Sequence, residues 1–127
     1  MSIVSVGTIQ SNTSSPVIFT NSSSTEIGTL CRAFCNFNGT TVTNPASMTG
    51  VRASFNIASI LDNGTGDYTI NFTNAFSDAN YAISAATNTD CFAVTTLTTS
   101  SFKLLTFNRR DVFLAEDAAT ACVSVFR

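Results

Sequence analysis

The sequence predicts an all-β fold: an antiparallel β-sandwich or barrel-like module preceded by a short N-terminal extended arm. Ser, Thr, Asn, Val, Ile and Phe dominate the composition, while Lys, Glu and Leu, which fill soluble helices, are scarce. Apolar residues alternate over short runs, as at Tyr68, Ile70 and Phe72, and a period of two turns one strand face toward a core. Turn-forming residues separate these runs at regular short spacing, the rhythm of a sandwich or barrel. With 127 residues the chain is sized for one domain. It reads as a docking arm over residues 1–24 and a β-sandwich domain over residues 25–127.

The arm is rich in Ser, Thr and Asn and carries two apolar islands, Ile3 to Val6 and Val17 to Phe19, each the length of a short strand. From Thr25 to Phe37 the residues are extended and largely apolar, which predicts one central or interface strand ended by the turn signal Asn38-Gly39. Thr40 to Gly50 reads as a loop, because Pro45 lacks a backbone donor and restricts Asn44 before it. Val51 to Leu61 reads as the next strand, with Phe55 and Ile57 on one face. Asp62 to Asp67 supplies residues that tolerate positive φ, and the alternation that follows it marks a hairpin. Further strands are expected at Tyr81 to Ala86, Cys91 to Leu97, Phe102 to Phe107 and Thr120 to Phe126. Leu114 to Ala119 alone has helical composition, but it is too short to hold a helix, so a loop or single turn is expected there.

Charge narrows the function. Charged residues make up 11% of the chain and the net charge is −2, without the positive footprint that nucleic-acid or anionic-membrane binding requires. No apolar run is long enough to cross a bilayer, and Met1 to Gly7 has no signal-peptide pattern, so neither export nor membrane insertion is expected. So few charges leave a weakly solvated surface, which suggests that other subunits cover part of it. Asn-x-Ser/Thr triplets begin at Asn12, Asn21, Asn38, Asn63 and Asn71, as chance produces in a chain of this composition.

Chemistry is sparse. The chain has no histidine, which removes Ser-His-Asp and Cys-His catalysis and histidine-ligated zinc. The acids Asp62 with Asp67, and Glu116 with Asp117, fall in predicted loops without aromatic platforms, since the chain has no Trp and two Tyr. They read as solvated turn residues rather than a carboxylate pair. Asp62, Asn63 and Asp67 lack the ligand series of a calcium loop. The expectation is a non-enzymatic protein with no cofactor and no metal site.

The four cysteines form no Cys-x-x-Cys pair. On a regular strand Cys31 and Cys35 lie roughly 13 Å apart, beyond the ~7 Å a disulfide spans. Each of Cys31 and Cys35 is therefore either a buried small hydrophobe or a partner for Cys91, Cys122 or another chain, and Cys31, Cys35, Cys91 and Cys122 are all candidates for an intermolecular disulfide formed after release from a reducing cytoplasm. Arg109 and Arg110, with Lys103 nearby, are read as the one positive cluster, suited to anionic groups on a surface or to local acids such as Asp111.

The segments Ile27 to Phe34, Asn36 to Thr40, Asp62 to Thr73, Ala75-Phe76, Asp78 to Ala82 and the ending Ala121 to Arg127 together resemble, in that order, the C-terminal domains of bacteriophage tail fibres. The resemblance runs from about Thr25 to the C-terminus. It departs from the family pattern at Phe34 and Cys35, where Trp and a small aliphatic residue are expected, and in having no long shaft ahead of the module.

The resemblance implies a virion structural protein, a short tail-fibre subunit assembled in the host cytoplasm, with host attachment as its task. It further implies a trimer, with partners among copies of itself, baseplate or tail components, and a host surface glycan. Loops around Asn44 and Thr89, together with Arg109 and Arg110, are the candidate recognition elements. A capsid or neck decoration protein is the alternative within the same class, and a carbohydrate-binding module the alternative from another.

Overall fold

Residues with inward alternation become the two facing layers of a β-sandwich. The structure, a computed structural model, describes residues 18–109 and 114–127. The island Ile3 to Val6, Arg110 and Asp111 therefore lie outside the described residues. The chain divides after Leu30 into two units. In the first, β1 (Ile18–Thr20) and β2 (Glu26–Thr29) form an antiparallel hairpin, closed by Asn21, whose Oδ1 accepts from Ser23 N and Thr25 N.

The second unit holds β3 (Cys31–Phe37), β4 (Val51–Phe55), β5 (Ile57–Gly64), β6 (Asp67–Phe72), β7 (Ala82–Thr87), β8 (Cys91–Thr95), β9 (Ser101–Asn108), β10 (Leu114–Ala115) and β11 (Ala121–Phe126). One sheet has the order β4-β3-β11-β7; in the other, β5-β6-β9 run side by side and both β8 and β10 pair with β9. Every pairing is antiparallel.

Between the sheets, Ala33, Cys35, Phe37, Val123 and Val125 face Ile60, Tyr68, Ile70, Phe102 and Leu104, all buried. Phe37 meets Tyr68 edge-on at 5.3 Å, and Phe72 meets Phe76 at 4.8 Å. Each such side chain contributes about 1.5–3 kcal/mol on leaving water.

The hairpin predicted at Asp62 to Asp67 is present. Gly64 and Gly66 take φ of 136° and 66°, and Asp62 Oδ1 accepts from Gly64 N at 2.8 Å. Strands β7, β8, β9 and β11 lie where alternation predicted strands.

Three expectations are corrected. Thr25 to Phe37 is two strands rather than one, because Glu26–Thr29 pairs with β1 whereas Cys31–Phe37 pairs with β11 and β4.

Val51 to Leu61 is also two strands, and Phe55 and Ile57 do not share a face: Phe55 is 55% exposed and Ile57 is buried. Between them Asn56 turns at φ 56°, its amide donating to Arg32 and Asn74 carbonyls while its Oδ1 accepts from Asn74 N. The chain thereby passes from one sheet to the other. Asn is among the few residues that hold this left-handed conformation without glycine.

Leu114 and Ala115, expected in a loop, form a short strand on β9. They are held there by Glu116 N donating to the Thr106 carbonyl at 3.1 Å.

Candidate functional site

The register determines which loops share an end of the sandwich. Ala121, where β11 begins, lies opposite Phe37, where β3 ends, and opposite Thr87, where β7 ends. In the second sheet Cys91 lies opposite Phe107 and Asp67 opposite Leu105. The connections 38–50, 62–67, 88–90 and 116–120 consequently gather at one pole.

Hydrogen bonds join these loops to one another. Gly39 N donates to the Ala118 carbonyl at 2.7 Å, Asp62 N to that of Thr43 at 3.2 Å, and Asn88 N to that of Thr120 at 3.0 Å. Thr120 N donates to Asn88 Oδ1 at 2.7 Å, and Arg109 N to Asp90 Oδ2 at 2.9 Å.

Of the predicted recognition residues, Asn44 and Arg109 are exposed and Thr89 is half-buried, and all three belong to this pole. Thr89 Oγ1 lies 2.8 Å from Thr87 Oγ1. The loop around Asn44 is pinned by the Thr43 and Ser47 hydroxyls, 2.8 Å apart, and by the Ser47 bridge to Ile60.

Asn38 begins the connection between the antiparallel strands β3 and β4, and the turn expected there is present. Asn38 caps a single 3₁₀ turn over Gly39–Thr41, its Oδ1 accepting from Thr40 N. Glycine follows because a Cβ at position 39 would collide with the Tyr68 hydroxyl and come within 2.8 Å of the Ala118 carbonyl.

Lys103 does not join Arg109. They lie six residues apart in sequence, about 20 Å along an extended chain, and the Lys103 Nζ is 3.0 Å from Asp67 Oδ2 instead.

The acids also differ from expectation. Asp117 was read as a solvated turn residue, yet its Oδ1 accepts from the hydroxyl of Tyr68 at 2.9 Å and from Gly66 N at 2.7 Å. Tyr68 is fully buried, and burial followed by the Asp117 hydrogen bond raises its pKa. Asp117 therefore braces the pole from within. The signal for it was a tyrosine placed on an inward alternation, whose hydroxyl must find an acceptor when buried. Asp67 is likewise engaged, accepting from Asn63 Nδ2 at 2.9 Å as well as pairing with Lys103.

All four cysteines are free thiols, in different settings. Cys35 points into the core, and burial, with a smaller contribution from Cys122, pushes its pKa up to about 12, which makes it inert as a thiolate nucleophile. Cys31 Sγ donates to the Ala33 carbonyl at 3.2 Å. Cys91 and Cys122 are half-buried and outward-facing, on opposite sheets. Among the described residues no group of three or more Cys, Asp or Glu is arranged to hold a metal ion, and no helix is long and apolar enough to cross a membrane.

The two outer faces complete the surface. On the β5-β6-β9-β8 sheet, Leu61, Thr69, Lys103 and Thr95 form one cross-strand row, and Asn71 donates to Ser59 Oγ at 3.1 Å in the next.

On the β4-β3-β11-β7 sheet the central row is Phe55, Phe34, Ser124 and Ser84, and the next is Ala53, Asn36, Cys122 and Ala86. The Phe34 and Phe55 rings stack at 6.3 Å on the water side. Arg52, the extra residue in the bulge opposite Asn36 and Phe37, donates to Asn36 Oδ1 and to the Phe37 and Ala119 carbonyls. No family model, no curated protein and no solved structure matches this chain.

Proposed function

We propose that this chain is a virion structural protein: a short tail-fibre subunit of a bacteriophage that acts as a homotrimer attached to the tail or baseplate and turns its loop-bearing pole toward the host surface. The observation that carries the reading is the gathering of the loops of Asn44, Thr89 and Arg109 at one end of the sandwich, tied together by backbone and side-chain hydrogen bonds. Loops held on a rigid scaffold are the common architecture of a binding surface. The ordered resemblance to tail-fibre C-terminal domains supports the same reading. So does the missing histidine, which removes the commonest acid–base and nucleophilic chemistry.

An intermolecular disulfide formed in the oxidising exterior belongs to this reading. Cys91 and Cys122 are the thiols set on outer faces, whereas Cys35 is enclosed. Electrophoresis of alkylated particles without reductant tests it: a band at twice the subunit mass or more is expected, and a single monomer band removes the idea.

Immunogold labelling of intact particles tests the location. Label at the tail end is expected, whereas label over the head overturns the fibre in favour of a decoration protein. At the pole, Asn44→Ala combined with Arg109→Ala is expected to weaken host adsorption about tenfold, the equivalent of ~1.4 kcal/mol. Adsorption unchanged by that pair would move recognition elsewhere.

A further inference from the structure

We infer that Asn63, Asp67 and Lys103 form a self-cross-linking site, at which Lys103 Nζ and Asn63 Cγ become joined by an isopeptide bond. The inference stands apart from what the chain attaches to.

Position is the first observation. Asn63 is the extra residue where the β5–β6 register shifts between Asp62 and Gly64, Asp67 opens β6, and Lys103 lies on β9 directly opposite Thr69. Three neighbouring strands thus bring a carboxamide, a carboxylate and an amine to one outer surface. Leu61 and Leu105 stand beside them, opposite Thr69 and Asp67, and the Lys103 and Asp67 side chains are 33% and 31% exposed.

Geometry is the second. Asp67 Oδ2 lies 3.0 Å from Lys103 Nζ, and its Oδ1 accepts from Asn63 Nδ2 at 2.9 Å. Asn63 Nδ2 also donates to Thr69 Oγ1 at 2.9 Å, so two acceptors on β6 fix the carboxamide. The turn itself is already closed by other groups: Gly64 and Gly66 supply the positive φ, and Asp62 holds Gly64 N. Amine and amide therefore share one carboxylate, and the flexible four-carbon stem of Lys103 can carry Nζ from Asp67 to Asn63 Cγ. Holding both reactants on one bridge turns a bimolecular encounter into an intramolecular one.

The chemistry balances within the chain. Asp67 takes one proton from the Lys103 ammonium, and the neutral Nζ attacks Asn63 Cγ. As the Nζ–Cγ bond forms and the Cγ–Nδ2 bond breaks, a second proton passes from Nζ to Nδ2. Ammonia leaves, and takes the first proton from Asp67 as ammonium, so the carboxylate ends as it began. No oxidant, reductant or other co-reactant is consumed. Asn63 is exposed, which opens a path to water for the departing ammonia. The product clasps β5 to β9 across β6 at the loop-bearing pole, by a bond that reductant does not break.

Mass spectrometry of the intact full chain, in reductant, tests the site. The wild type is expected to become lighter by one ammonia on incubation, and its digest to contain one branched peptide pair joining residues 63 and 103. Lys103→Arg keeps a cation for Asp67 but no nucleophilic amine, and is expected to retain the full mass. Asp67→Asn is expected to slow the loss about a hundredfold or more. A wild type that keeps its full mass after prolonged incubation overturns the site and leaves Lys103 and Asp67 an ion pair. Ammonia loss that persists in Lys103→Arg, with no joined peptides, also overturns it, since ring closure of Asn63 onto Gly64 N releases the same ammonia without Lys103.

Discussion

The two outer faces of the sandwich obey the same alternation and differ in how their polar groups are engaged. On the β5-β6-β9-β8 sheet, outward positions carry Lys103 paired to Asp67, Asn71 bonded to Ser59 and Thr69 bonded to Asn63, so the polar groups answer one another and water. On the β4-β3-β11-β7 sheet they carry Phe34, Phe55, Cys122 and alanines beside Asn36, Ser84 and Ser124, while the sheet's arginines turn to their own chain, Arg52 to the Ala119 carbonyl and Arg32 over the Phe76 ring. The domain's ion pairs include Lys103 with Asp67 on one outer face and Arg127, past the end of β11, with Asp78. The comparison teaches that low overall charge is not spread evenly: one outer face carries the Lys103–Asp67 ion pair, whereas the rows of the other mix aromatic and small side chains with the neutral polar groups of Asn36, Ser84 and Ser124.

The largest expected effect erases the distinction by removing the layer both faces share. Phe102, on the inward side of β9, is fully buried, and Phe102→Ala is expected to destabilise the domain by about 3–5 kcal/mol, read as a lower denaturant midpoint.

Next comes the brace under the loop pole. Asp117→Ala leaves the buried Tyr68 hydroxyl without its acceptor, at a cost of about 1–3 kcal/mol; adding Tyr68→Phe is expected to restore part of the loss, and a double variant no better than the single one would show that Asp117 acts elsewhere.

Alkaline titration sharpens the contrast between inner and outer groups. Cys35 is raised from 9.0 to about 12, and Tyr68 is raised from 10.0, both chiefly by burial. The folded state holds these protons more tightly than the unfolded chain, so their contribution is complete below pH 9 and falls as pH rises through 12. Cys35→Ala is expected to flatten the stability profile between those two values.

The smallest effects fall on the outer faces themselves. Lys103→Met removes a one-third-exposed ion pair worth about 0.2–1 kcal/mol. Phe55→Thr is expected to change stability by no more than about 0.5 kcal/mol while raising solubility, since its ring faces water.

Much of this fold was legible in local pattern. Tyr68, Ile70 and Phe72 announced an inward face, Gly64 and Gly66 announced the hairpin, and both features are read from neighbours in sequence. Asn56 was not legible, because a left-handed residue between two apolar runs looks like any polar residue inside one strand. Its role depends on carbonyls at Arg32 and Asn74, far from it along the chain. Asp117 was hidden for the same reason, lying 49 residues from the tyrosine it satisfies.

At the candidate site the loops of Asn44, Thr89 and Arg109 were each visible as loops. Their meeting at one pole followed only from the antiparallel register of β3, β11 and β7. The inward alternation of β6, the hairpin at Asp62 to Asp67 and the lack of histidine chemistry are properties of residues and their near neighbours, so composition and period alone settled them. Which aromatic residues face a core and which face water, which acid is solvated and which is a brace, and which thiol is enclosed are set by the partner across the sheet. That partner is chosen by long-range pairing, whose register no local run of residues contains.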